Sequence, residues 1–421
     1  MVGTCGELEI TAILNSLGKT MNQVAEYKYG PLEAARALQG EIGTVFLDSN
    51  VPGNGISLVA TNPDLVLSGD DWEMLERELG RRQRAGSHAG YPEGAAVGYV
   101  SFDGHYHFAF YENPHLFSHA GGRWINPPER FEQCPADRGD SFFLPFSARM
   151  PREQFLGMVE RARDYIAAGD IYQACLSHPF VAEAAGTVAW EFYERLRRLS
   201  PAPFSSYLNF GGVRIASSSP ESFLRMSGRQ ISTQPIKGTR PRKSDPRSDS
   251  LSATDLRTSA KEIAELVMIT DLERNDLGRV CDYATVHVPD LLRLESYEQV
   301  FHLVSTVQGR LREEVSHVRA LRECFPGGSI SGAPKKRALE IIRELEPFPR
   351  GIYTGAVGYF GFNGESQFSI AIRTAVFENG LASFHVGAGI VADSDPEKEW
   401  QETWDKAAGL LLAAGQTQPP R

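Results

Sequence analysis

LASFHVGAGIVADSDPEKEWQET, residues 381–403, reads as a strand, a glycine-bearing turn and the start of a helix after Asp395-Pro396. The same alternation runs back through TGAVGYFGF (354–362) and QFSIAIRTAVF (367–377), both strand-like. Further upstream, IYQACLS (171–177), VRIASSS (213–219) and QISTQPIKGT (230–239) read as strands. Phe155, Val159, Ala162 and Ile166 recur at helical spacing before the stop at Gly169-Asp170. A long helix is expected over about 255–273, and another follows Pro334 in KKRALEIIRELE. Strand runs with inserted helices predict an α+β chain of antiparallel sheets packed under helices. TVFLDS (44–49), ISLVATNP (56–63) and AAVGYVSFDG (95–104) add strands near the start, with VPGNG as a turn. Residues 126–150 are rich in Pro, Gly and charge and read as a connector between an N-terminal portion, 1–125, and a C-terminal portion, 151–415.

The composition is that of an ordinary globular chain: 421 residues, 42% apolar and 23% charged. No apolar run reaches the roughly 18 residues needed to cross a bilayer, so no membrane segment is expected. The N-terminus shows no basic region followed by an apolar stretch, so no signal peptide is expected. Five scattered cysteines form no CxxC pair, which fits a reduced, cytoplasmic compartment. A net charge of −10 argues against nucleic acid as a partner. It also means that an anionic substrate needs local positive charge, backbone N–H groups or a metal ion.

Two pairs of glutamates are the clearest chemical signal. Glu262 and Glu265 are three apart on one expected helix, Glu399 and Glu402 three apart on the last, with Lys406 one turn further on the same face. Four carboxylates from two helices suit Mg²⁺, a hard cation that takes oxygen ligands and is often completed by an anionic substrate. Glutamates at that spacing also suit a solvated face, and Glu262 can close a capping box with Ser259. FPGGSISGAPKK (325–336) places a glycine-rich turn before a helix whose first turn holds Pro334. Its N–H groups suit an anion. Ala333 and Pro334 stand where a nucleotide-phosphate loop needs Lys and Ser/Thr, so a triphosphate site is disfavoured. Gly387 and Gly389 allow close backbone approach to a ligand, or serve a turn. Lys237 ends an apolar strand in PIKGTRPR; taken alone it suits an exposed strand-end lysine, but in a confined site such a lysine loses its proton cheaply and becomes a nucleophile. Glu221, His302 and Arg373 sit at or in strands, where a satisfied core role is equally open.

Taken together, PIKGTRPR, KEIAELVMITDLERNDLGRV, HLVSTVQG, FPGGSISGAPKKRALEII, YTGAVGY, SIAIRT and GAGIVADSDPEKEWQET resemble the chorismate-binding family, whose members include anthranilate, aminodeoxychorismate, isochorismate and salicylate synthases. The resemblance is strong over 150–412 and weaker over 25–125. It implies two antiparallel sheets packed face to face and flanked by helices. It implies Mg²⁺ held near Glu262, Glu265, Glu399 and Glu402 against a ring carboxylate. Tyr353 and Arg373 match residues that grip the enolpyruvyl carboxylate, a bidentate task suited to guanidinium. Lys406, Gly238 and the Gly387-Ala388-Gly389 backbone match further carboxylate contacts. His302 and Ser331 match groups lining the ring, and Glu221 a general acid beside the C4 hydroxyl, which calls for a raised pKa.

Two positions choose among members. Hydroxylating members place a lysine base where this chain has Gln173, and glutamine cannot deprotonate water. Anthranilate synthases usually read PIAGT where this chain reads PIKGT, and lysine there marks the C4-aminating branch. The implied chemistry is a covalent Lys237 adduct displaced by ammonia, the ammonia coming from solution or from a separate glutaminase subunit. An anthranilate-forming enzyme is the near alternative. A silent regulatory protein that binds tryptophan is the distant one, since LDS (47–49) and SPAPF (200–204) match segments that contact tryptophan in relatives.

Overall fold

The computed structural model describes residues 29–50, 55–85, 90–128, 142–297 and 300–417. Cys5, Cys134, most of the VPGNG turn and much of the 126–150 connector lie outside the described residues.

Among the described residues two antiparallel sheets form the fold, one of 11 strands and one of 10. In the first, Gly332–Ala333 pairs with Gln173–Glu183, then follow Leu381–Ile390, Thr374–Glu378, Val213–Ser219, Phe204–Asn209, Thr44–Asp48, Ile56–Ala60, His115–Ser118 and Arg123–Asn126. The second runs from Ile236–Pro241 through Val300–Arg310, Gln230–Gln234, Ser222–Ser227, Glu365–Ile370, Ala356–Gly361, Ala95–Val100 and Tyr106–Tyr111 to Leu65–Gly69. Both sheets join strands from the two ends of the chain: Thr44–Asp48 pairs with Phe204–Asn209, and Ala95–Val100 with Ala356–Gly361. Their inner faces share apolar cores. Val45, Leu58 and Ile215 of the first sheet pack with Val97, Ala109 and Val357 of the second.

The helices Arg152–Ala167, Ala189–Leu199 and Pro396–Ala413 pack on the first sheet. The helix Ala260–Gly278 packs against Val300–Arg310 of the second. The two glutamate-bearing helices therefore belong to opposite sheets. Asp395 caps the last helix by accepting from Lys398 N at 3.1 Å, with Pro396 in its first turn.

Three boundaries differ from the sequence reading. The expected 255–273 helix is two, Pro246–Thr258 and Ala260–Gly278, broken where Ser259 turns extended and its hydroxyl accepts from Glu262 N. The expected 230–239 strand is also two, parted at Pro235, which has no N–H to give a ladder. Pro334 sits at the N-cap of Lys335–Leu345 rather than inside its first turn.

Candidate functional site

Lys237 lies on the edge strand Ile236–Pro241 with its side chain turned inward, and its Nζ donates to the Ser329 carbonyl at 3.1 Å. That carbonyl belongs to the glycine-rich stretch read from the sequence, which makes a short turn over Gly328–Ile330. The same carbonyl accepts from Cys175 Sγ at 3.4 Å. Glu221 is buried, and its Oε1 accepts from Ile236 N, next to Lys237, at 3.4 Å. Burial pushes the Glu221 carboxyl above its usual range; the neighbouring Ser329 hydroxyl and Lys237 ammonium oppose that without cancelling it.

Lys237 departs from the sequence reading. Burial alone would lower its proton affinity, but Cys175, Glu265, Glu221 and Glu402 crowd the ammonium and hold its pKa above that of free lysine. The lysine is confined, yet its surroundings are too anionic to strip its proton.

Two of the four glutamates, one from each helix, flank a cation already in the chain. Lys261 Nζ lies 3.6 Å from Glu399 Oε1 and 3.9 Å from Glu265 Oε1. Lys406 Nζ pairs with Glu402 at 2.8 Å and also donates to the Gly387 carbonyl at 2.8 Å. Arg240 reaches Glu262 at 3.4 Å. Glu399 is 2% exposed, and while Ser394 donates to its Oε1 at 2.7 Å, its Oε2 is buried with no partner. Among the described residues no three acidic, His or Cys side chains are drawn to ligand distance. The donor set nevertheless fits a hard divalent ion: oxygen ligands, an orphaned buried carboxylate oxygen and a lysine ammonium standing between two of the four.

Gly238 adopts φ +74, and a Cβ there would come 3.0 Å from Glu262 Oε2, so only glycine lets the strand pass that close to the acidic helix. His302 is buried; its Nδ1 lies 3.1 Å from Thr239 Oγ1 and 3.4 Å from the Gly238 carbonyl. Burial, helped by the nearby Arg373 charge, drops its pKa to about 4, so the ring is neutral. A Cβ on Gly387 would meet the Tyr353 hydroxyl at 3.1 Å, and one on Gly389 the Gln173 amide at 2.6 Å. Ala388 between them is buried in the core. Ser331 is fully buried, its hydroxyl donating to the Gly327 carbonyl at 2.8 Å.

Arg373 is the least satisfied cation of the group. Its backbone is held at φ +49, a conformation that costs a non-glycine residue energy. Burial lowers its pKa, and among the described residues the guanidinium makes no ion pair. A half-buried guanidinium on a strained backbone, with no ion pair among the described residues, is a ready seat for an anion.

Sequence reasoning passed over several neighbours. Lys261 was visible at i, i+4 from Glu265. Cys175 and Ser329 carried no pattern. Glu346 and Arg350 brace the whole site. Arg350 donates to both Glu346 oxygens, at 2.7 and 2.8 Å, and to the Cys175 and Ile330 carbonyls at 2.6 and 3.1 Å. Lys335 of the glycine-rich segment is structural, bound to Asp276 and to the Cys324 and Pro326 carbonyls. Asp48 of the LDS segment pairs with Ser205, the residue after SPAPF, and its carboxylate is taken up by Arg197 at 2.5 Å and Tyr193 at 3.0 Å.

Acidic helices from opposite sheets are joined through Lys261, with Lys237 confined beside Glu221. The chain belongs to the family of chorismate binding enzymes, whose model matches residues 53–412. Anthranilate synthase component 1 of Geobacillus stearothermophilus is 45% identical over 66% of this chain and 54% of its own length. Aminodeoxychorismate synthase of Streptomyces griseus is 45% identical over 63% of this chain and 37% of its own. The chain thus spans about half the length, or less, of these curated relatives. Among solved structures, anthranilate synthase component I from Streptococcus pneumoniae TIGR4 superposes with a TM-score of 0.74 at 31% identity, covering 86% of this chain and 92% of that one.

Proposed function

We propose that this chain is an aminodeoxychorismate synthase component I, replacing the C4 hydroxyl of chorismate with an amino group. The observation that carries the reading is the confined Lys237, its Nζ on the Ser329 carbonyl, beside the buried Glu221 whose proton affinity it opposes, in a chain with Gln173 rather than a base in the strand Gln173–Glu183. The Lys237 amine, once deprotonated, bonds to C2. The ring double bonds shift and the C4–O bond breaks, Glu221 giving its proton so that water leaves. Ammonia then bonds to C4, the double bonds shift back and the Lys237 nitrogen departs from C2. Glu221 takes the proton that the new ammonium releases.

Arg373 and Tyr353 hold the enolpyruvyl carboxylate in this reading, with neutral His302 beside the ring. Lys406, Gly238 and the Gly387–Gly389 backbone border the ring carboxylate. Glu262, Glu265, Glu399 and Glu402 would hold Mg²⁺, which when bound supplies positive charge against that carboxylate. Ammonia comes from solution or from a separate glutaminase partner.

A second reading is anthranilate synthase component I, favoured by the names of most of the similar curated proteins. Incubation with chorismate, Mg²⁺ and an ammonium salt, with products separated by mass and retention, decides between them. Aminodeoxychorismate supports the first reading; fluorescent anthranilate as the main product overturns it.

A further inference from the structure

Glu273 is a buried carboxylic acid that the mechanism above does not use. It lies on the inward side of the Ala260–Gly278 helix and is 5% exposed. Its Oε2 accepts from Thr233 Oγ1 at 2.5 Å. Its Cγ lies 3.3 Å from where a Cβ on Gly328 would stand, so it is pressed under the turn whose Ser329 carries Lys237 and adjoins Glu221. Thr233 stands three residues before Ile236, whose N–H meets Glu221. Two buried carboxyls thus share one turn and one stretch of backbone.

The other charged groups around Glu273 do not neutralise it. Asp276 of its own helix adds negative charge, and Lys335 is already bound to Asp276 and two backbone carbonyls. Among the described residues Glu273 makes no ion pair. Resting on the C4-chemistry reading above, we propose that Glu273 is a positioning residue that keeps Glu221 loaded with a proton, the two carboxyls holding between them at least one proton through the working pH range. When Glu221 protonates the departing hydroxyl and water leaves, the pair would carry two negative charges if Glu273 were ionised. A neutral Glu273 removes that repulsion. The proton released as ammonia bonds to C4 returns to Glu221, and the pair is restored.

The electrostatics agree. Burial, then the charges on Glu221 and Asp276, raise Glu273 to about 8 against the pull of Thr233 and Lys335. The acid form should therefore be present at neutral pH, and the last proton should leave the pair only in mildly alkaline solution.

The test uses the whole chain and two variants. Infrared titration of the free protein should show buried carboxylic-acid carbonyl absorption at pH 7 with a component that fades near pH 8; Glu273→Gln should lose that component and keep the Glu221 absorption at pH 6. Chorismate consumption, followed at constant free ammonia, should then separate by pH. At pH 6 Glu273→Gln should stay within about twofold of wild type; its alkaline limb should begin at least about one unit earlier, a loss of about tenfold at a given pH on that limb. Thr233→Val, which removes a bond to the ionised form, should move the limb the other way. A pH-independent loss in Glu273→Gln, or no carboxylic-acid band in wild type at pH 7, overturns the proposal. If the band behaves as described while chorismate is not aminated at C4, the pair stands and the functional reading fails.

Discussion

Glu346 and Arg350 form a buried two-pronged ion pair within a single turn of chain, Nη2 to Oε1 at 2.7 Å and Nε to Oε2 at 2.8 Å. Arg350 is 4% exposed, and its remaining donors hold the Ile330 and Cys175 carbonyls and Thr354 Oγ1. Glu346 also accepts from Ser177 N and Oγ. The pair ties the glycine-rich turn to the strand Gln173–Glu183 and to the turn bearing Tyr353. Glu346→Gln leaves an unpaired buried guanidinium and should cost about 3–5 kcal/mol of stability. Replacing both residues with apolar ones should cost less than the single change, since no charge is stranded. Chemical unfolding of the three proteins checks this; a double variant less stable than Glu346→Gln would contradict it.

The metal reading separates three glutamates. Glu262→Gln and Glu399→Gln should each lower Mg²⁺-dependent turnover by at least about tenfold, the scale of losing a ligand or its support. Glu397→Gln should change little, because Glu397 is exposed and merely pairs with Arg152. Titrating Mg²⁺ against activity in each variant is the measurement. Equal behaviour in all three would remove the acidic helices from the metal site.

How much of this was legible in the sequence depends on the range of the interaction. Strand and helix patterns are local, and so were most elements. The break at Ser259 hid in a polar run, RTSAKE, with no glycine or proline to mark it. Pro235 did mark its break. The threading of N-terminal strands into both sheets is a long-range pairing that no local pattern carries. The glutamate pairs were readable because helical spacing fixes which side chains share a face. Glu273 was not, since its helix carries Glu262, Glu265, Asp271 and Asp276 as well, and its packing under Gly328 is a tertiary contact that no local pattern carries.

In the proposed C4-aminating reading, Gln173 takes the place of a base that would activate water. Its amide lies against Gly389, 3.8 Å from Cys175 Sγ, and its Oε1 is buried with no partner. Gln173→Lys should divert part of the chorismate to isochorismate, measured by chromatography. The diverted share should be small, because the new amine must also find the right distance to C2. Efficient isochorismate formation by the wild type would break the assignment at this branch.

Lys237 should be the covalent nucleophile, and its proton makes the pH dependence specific. Burial favours the neutral amine, but Cys175, Glu265, Glu221 and Glu402 together reverse that and raise its pKa. The amine is therefore scarcer at a given pH than in free lysine, whose pKa is about 10.4. Adduct formation with chorismate should accelerate as the pH rises above neutrality. A divalent cation held by Glu265 and Glu402 would offset those two carboxylates, so Mg²⁺ should speed the adduct at fixed pH as well as seat the substrate. With ammonia absent nothing displaces the adduct. Peptide mapping after borohydride or acid quench should find the added mass on the segment holding Pro235–Thr239. Lys237→Ala should form no adduct and slow amination by at least about a hundredfold, the scale typical of losing a catalytic group. Wild-type amination by Lys237→Ala would make the lysine a bystander and leave ammonia to attack the ring directly.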